Sequence, residues 1–150
     1  SRRLHVCLDT SGYAKWEHYK EVLEYVDLVL YDLKHMDTLQ SQRLIGAPNE
    51  LILENAKKMA KAGVAMQIRI PVIPGYNDSE ENIRATSRFC SSLGSVIKLV
   101  QLLPYHRLGS SKYVRLGKKY DLEDLKPPSR EHMNLCKEII ESYGLEVIIG

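Results

Sequence analysis

Four short runs, "LHVCLDT" (4–10), "VDLVLYD" (26–32), "AMQIRIPVI" (65–73) and "IKLVQLLPY" (97–105), are apolar with little alternation and are bounded by Gly, Pro or Asp; a fifth, "LEVIIG", closes the chain. Such continuity marks strands covered on both faces, the habit of parallel sheets, because a strand with one wet face alternates. Between the runs lie helical segments with legible ends. Asn49 can cap "ELILENAKKMAKA", which stops at Gly63, and Asp78 with Glu81 has capping-box spacing for a helix that stops near Gly94. Ser129 can likewise cap "REHMNLCKEIIESY" before Gly144. Each helix leads directly into a strand. That alternation predicts right-handed β–α–β units in an α/β protein, either an open sheet or a barrel, with residues 1–150 forming one domain and no linker.

Composition narrows what such a domain meets. The 21 basic and 19 acidic residues are interspersed and sum to +2, so no long-range field selects nucleic acid or anionic lipid. Trp16 and the nine tyrosines lack the interleaving of a base-stacking surface. Cys7, Cys90 and Cys136 are odd in number and widely scattered, which argues against both a disulfide framework and a chelating loop. The apolar runs are too short for a membrane span, and "SRRLHVC" lacks the apolar stretch of a secretory signal, so a reducing cytoplasm is expected. A buried-looking strand so near residue 1 suggests a piece of a longer chain. The stretch 107–128 is long and polar, and its Lys112, Arg115, Lys118 and Lys119 could face an acidic partner, although charge runs of this kind usually form a solvated basic loop.

In parallel α/β folds chemistry gathers at the carboxyl ends of the strands. Those ends carry Asp9 and Thr10, then Asp32 and Lys34, then His106, while Arg69 lies within its run. A period of two places Leu28, Leu30, Asp32 and Lys34 on one side and Val29, Tyr31 and Leu33 on the other. Each residue has a plain structural role open to it. Asp9 can bond turn amides, Asp32 and Lys34 can form an ion pair at the strand end, Arg69 can be a buried strut and His106 a loop histidine. Together they suit an anionic or zwitterionic small molecule, with the carboxylates able to favour a hard cation. A Schiff base at Lys34 is disfavoured, because Asp32 beside it supports the charged amine.

The blocks "LDTSGY", "DLVLYDLKHM", "RLIGAPNELILENAKKMAKAG", "IRIPVIPGYNDSEENI", "LLPYHRLGSSKY" and "DLKPPSREHM" occur in an order that resembles the glycyl-radical-enzyme activating enzymes of the radical S-adenosylmethionine superfamily. The likeness is nearest to activases of pyruvate formate-lyase. The resemblance implies a partial (β/α)6, TIM-like barrel with S-adenosylmethionine and a 4Fe-4S cluster. It also implies a 5′-deoxyadenosyl radical that abstracts hydrogen from a glycine of a partner glycyl radical enzyme, and an electron donor such as flavodoxin. By the same resemblance Asp32 and Lys34 match an Asp-x-Lys motif at the S-adenosylmethionine end, and Arg69 and His106 line that cavity. Asp9, Thr10, Asp32 and the carbonyl of Leu30 match a monovalent-cation site.

One departure matters. The family's CxxxCxxC loop and Gly-Gly-Glu strand end are absent from these 150 residues. The chain is therefore expected to correspond to the carboxyl-terminal portion of the family, strands three to six with trailing elements, and to be inactive by itself. Two rivals follow: a cluster-free barrel domain that binds a ligand or partner, and a lyase acting through Lys34. The apolar strand at 4–8 would be an edge able to pair with a second copy.

Overall fold

The computed structural model describes residues 3–106 and 125–150. Five parallel strands lie in one sheet in sequence order: β1 (Cys7–Thr10), β2 (Leu28–Asp32), β3 (Met66–Val72), β4 (Ile97–Pro104) and β5 (Val147–Ile149). An unreversed order is that of a barrel wall; a doubly wound sheet would reverse at a switch point. The choice between open sheet and barrel thus falls on a partial barrel. Among the described residues five α-helices join the strands: α1 (Trp16–Leu23), α2 (Thr38–Ile45), α3 (Glu50–Lys61), α4 (Glu80–Ser92) and α5 (Arg130–Glu141). The basic stretch with Lys112, Arg115, Lys118 and Lys119 lies outside the described residues.

The helices supply the core on one face. Val29, Tyr31, Ile68, Ile70, Val100 and Leu102 are buried beneath Ile52, Ala56 and Met59 of α3, Ile83 and Cys90 of α4, and Met133 and Ile140 of α5. Each large apolar side chain so covered contributes about 1.5–3 kcal/mol. The opposite face is only half-covered: β3 alternates buried and partly exposed along its length, with Gln67 and Arg69 on the open side. Cover on both faces was the expectation, and it holds for one. Leu28 and Leu30 face the concave side, and an apolar residue there looks the same in sequence as one packed beneath a helix.

Strict alternation also fails. β2 is followed by two helices, and neither α1 nor α2 has a legible sequence signature, because eight residues span only about two turns, too few for a clear apolar stripe. Asp37 caps α2 by accepting from the Gln40 amide at 2.9 Å, and Gly46, at φ 74°, ends it. The cap of α4 is Ser79, which accepts from the Asn82 amide at 3.1 Å, rather than Asp78. Asp78 instead accepts from the Gly75 amide and pairs with His132. Ser129 caps α5 as expected, by accepting from the His132 amide. Asn49 occupies the position before α3, but its side chain makes no cap bond and turns to another segment.

Candidate functional site

The strand register brings the polar residues together. Asp9 lies beside Leu30 and Asp32 beside Arg69, all on the concave face, so Arg69 can reach across β2 toward β1. Its Nε donates to Asp32 Oδ1 at 2.8 Å and its terminal nitrogen to Asp9. The other Asp32 oxygen accepts from Lys34 Nζ at 3.4 Å. Asp32 is thus the hub, one oxygen to each cation. Side-chain exposure is 19% for Arg69, 24% for Asp32 and 18% for Lys34, but 64% for Asp9, so three of the four are drawn well out of water. Burial disfavours the Arg69 charge, and its bonds to Asp9 and Asp32 more than offset that, raising its pKa above the ordinary arginine value.

The two contacts at Asp32 differ in kind. A charge-assisted bond near 2.8 Å is tight, whereas 3.4 Å is long for an ammonium on a carboxylate. Arg69 is therefore the strut, and Lys34 is the cation a ligand could recruit. Two carboxylates facing two cations leave the cluster near neutrality, which suits a zwitterion better than a bare anion.

The other expected residues stand outside this hydrogen-bonded cluster. The Thr10 hydroxyl is on the helix-covered face, bonded to the Tyr19 hydroxyl at 2.8 Å and accepting from the Gly12 amide at 3.0 Å. It therefore does not converge with the Asp9 and Asp32 carboxylates. Leu30 sits between Asp9 and Gln67 in register. His106 is exposed just beyond the end of β4. Among the described residues no group of three or more His, Cys, Asp or Glu side chains is arranged to hold a metal, and no helix is long and apolar enough to cross a membrane.

Sequence reasoning missed the asparagines beneath this mouth. Asn77 donates to the Lys34 carbonyl at 2.9 Å and to that of Pro71, Asn82 accepts from the Met36 amide at 3.0 Å, and Asn49 donates to the carbonyls of His35 and Met36. All three are buried. Nothing local in "GYNDSEEN" distinguishes such residues from ordinary turn formers. Beside them opens a cleft of about 510 Å³ lined by His35, Met36, Asp37, Gln40, Tyr76 and Glu81.

His35 gives the site a pH dependence. Its Nδ1 accepts from the Asp37 amide at 2.9 Å, a bond available only to the neutral ring. Burial lowers its pKa below 6.5, against an opposing pull from Asp37. The unfolded chain then binds the proton more readily, so His35's contribution to stability is whole above about pH 6.5 and is lost as pH falls below it. Urea midpoints across pH 5 to 8 should show this slope, and His35→Gln should flatten it.

The cysteines behave as packing residues. Burial pushes the Cys90 thiol up to about 12, and burial with nearby Asp78 pushes Cys136 up to about 11. Cys7 is exposed. Iodoacetamide at neutral pH should therefore label Cys7 in the native protein and spare Cys90 and Cys136 until urea unfolds it, as peptide mass spectrometry would record.

A parallel barrel wall with a charged carboxyl-end mouth is the frame of a large enzyme superfamily, and the family model of the radical SAM superfamily matches residues 1–86. The chain belongs to that superfamily. Within it the chain is 40% identical over 147 residues to the pyruvate formate-lyase 1-activating enzyme of Escherichia coli K12, covering 97% of this chain and 59% of that protein. It is also 40% identical over 152 residues to the trans-4-hydroxy-L-proline dehydratase activating enzyme of Clostridioides difficile, covering 100% of this chain and 50% of the relative. The crystal structure of a domain of pyruvate-formate lyase-activating enzyme from Bacteroides vulgatus superposes with a TM-score of 0.82 at 35% identity, covering 98% of this chain and 81% of that one. The chain thus spans between half and three-fifths of the length of these curated relatives.

The superfamily implies S-adenosylmethionine and a 4Fe-4S cluster, and the residues present fit the two unequally. Cys7, Cys90 and Cys136 are scattered, two of them buried, so they are no ligand set for a cluster. For S-adenosylmethionine, with its carboxylate, ammonium and ribose hydroxyls, the donor set Asp9, Asp32, Lys34 and Arg69 has complementary chemistry.

Proposed function

We propose that this chain forms the S-adenosylmethionine-facing wall of an enzyme that installs a glycyl radical on a partner enzyme resembling pyruvate formate-lyase. The observation that carries the reading is the Asp9–Arg69–Asp32–Lys34 cluster at the carboxyl ends of β1 to β3. When bound, S-adenosylmethionine supplies a cleavable sulfonium, which the superfamily reduces by one electron from a cluster. The cluster ligands belong, on this reading, outside these 150 residues, and this chain is inactive alone.

The chain's own residues bind and orient. Lys34, loosely held by Asp32, turns its ammonium to the ligand's carboxylate, while Arg69 fixes Asp32 so that this carboxylate keeps its direction. Asp9, the most exposed of the four, meets ammonium or hydroxyl groups. His106, exposed just beyond β4, would border the same mouth. A monovalent cation held by Asp9, Asp32 and the Leu30 carbonyl would share the carboxylates with Arg69, which already supplies positive charge between them, while the Thr10 hydroxyl is engaged by Tyr19 on the other face.

Anaerobic reconstitution of the full-length protein with iron, sulfide, a reductant such as reduced flavodoxin and S-adenosylmethionine tests the proposal. It should release 5′-deoxyadenosine and, with the partner enzyme present, produce a glycyl radical signal by electron paramagnetic resonance. Absence of 5′-deoxyadenosine would overturn it.

A further inference from the structure

The ladder of β2 ends with the Leu33 amide on the Arg69 carbonyl. From Lys34 to Met36 the backbone has no neighbouring strand to bond, yet these are the residues that aim the Lys34 side chain. Four of their backbone groups are taken by buried side-chain amides: the carbonyl of Lys34 by Asn77, the carbonyls of His35 and Met36 by Asn49, and the amide of Met36 by Asn82. Asn77 is itself fixed, since its Oδ1 accepts from the Ile73 amide at 2.8 Å and its carbonyl accepts from Asn82 Nδ2 at 2.7 Å. The Lys34–Met36 backbone is thus held from outside its own strand, by Asn77 and Asn82 of the β3–α4 segment and by Asn49 before α3.

We propose that Asn77 and Asn82 are positioning residues for Lys34, substituting for a missing strand and holding the exit of β2 against the start of α4. The chemistry requires this residue type. A planar amide donates and accepts at once on a short stem, whereas aspartate lacks the donor and serine provides only one hydroxyl. Neither asparagine touches the ligand in this scheme, which rests on the proposed binding of S-adenosylmethionine at Lys34.

Amine acetylation of the full-length protein, followed residue by residue with mass spectrometry, reads the position of Lys34 without turnover. In ligand-free protein Asn77→Ala should raise the Lys34 labelling rate about five-fold or more and weaken S-adenosylmethionine binding about tenfold, a cost typical of a displaced binding group. Exposed Lys61 serves as an internal reference. Asn55→Ala removes an equally buried clamp, on the carbonyls of Gly12 and Ala14, and should leave the Lys34 rate unchanged despite its own loss of stability. If Asn77→Ala does not fold, Asn82→Ser, which gives up the Met36 amide, is read in the same way. An unchanged Lys34 rate in the folded variant overturns the inference. Failure of S-adenosylmethionine to slow Lys34 labelling in the unsubstituted protein overturns instead the proposed binding.

Discussion

Gly12→Ala is expected to destabilise the fold by about 2–5 kcal/mol, the sum of a left-handed backbone cost of about 1–2 kcal/mol and an overpacking cost of about 1–3 kcal/mol. Gly12 sits at φ 76°, and a Cβ there would overlap the hydroxyl and Cζ of Tyr31. Neither side can yield. Tyr31 is buried with its hydroxyl donating to the Ile52 carbonyl, while Gly12 is held at its amide by Thr10 and at its carbonyl by Asn55. Gly63→Ala makes the comparison clean, since φ is 78° there but the space is open, so only the backbone cost of about 1–2 kcal/mol should appear. Thermal unfolding should separate the two variants by several degrees, at about 2–4 °C per kcal/mol for a chain of this size. Equal shifts would show that the loop after β1 is slack.

Asp32→Ala should cost about 2 kcal/mol, because it removes a tight bond to Arg69 and strands a largely buried guanidinium on the exposed Asp9 alone. Partial exposure keeps the figure below that of a sealed ion pair. Arg69→Met in the same background should recover about 1 kcal/mol, since the residues are in direct contact and their losses are not independent. Urea denaturation of the two single variants and the double variant gives the coupling. Strict additivity would mean that the cluster is a set of separate contacts rather than one unit.

Part of this was visible in the residues alone. The apolar runs marked all five strands, and the two-residue period placed Asp32 with Leu28 and Leu30 opposite buried Val29 and Tyr31, as observed. The same period contained an unused signal: adjacent Asp9 and Thr10 must face opposite ways in a strand, so Thr10 could not bring its hydroxyl to the Asp9 side. Neighbouring cap formers blurred the start of α4, because Asp78 and Ser79 both precede a polar residue by three, and only the fold shows that Asp78 is engaged by His132. The asparagine clamps were out of reach for a deeper reason. Asn49 and Asn77 reach the Lys34–Met36 segment from 13 to 43 residues away, and no local pattern records a partner that distant.

The most direct test of the account is the affinity of the anaerobically reconstituted full-length protein for S-adenosylmethionine, measured by equilibrium dialysis with and without Lys34→Met. Loss of a charge-assisted bond of about 1.5–3 kcal/mol predicts binding weaker by roughly ten- to a hundredfold, with the urea midpoint nearly unchanged because the 3.4 Å contact to Asp32 adds little to stability. An unchanged affinity would contradict the central claim that this strand-end cluster is where the ligand is held.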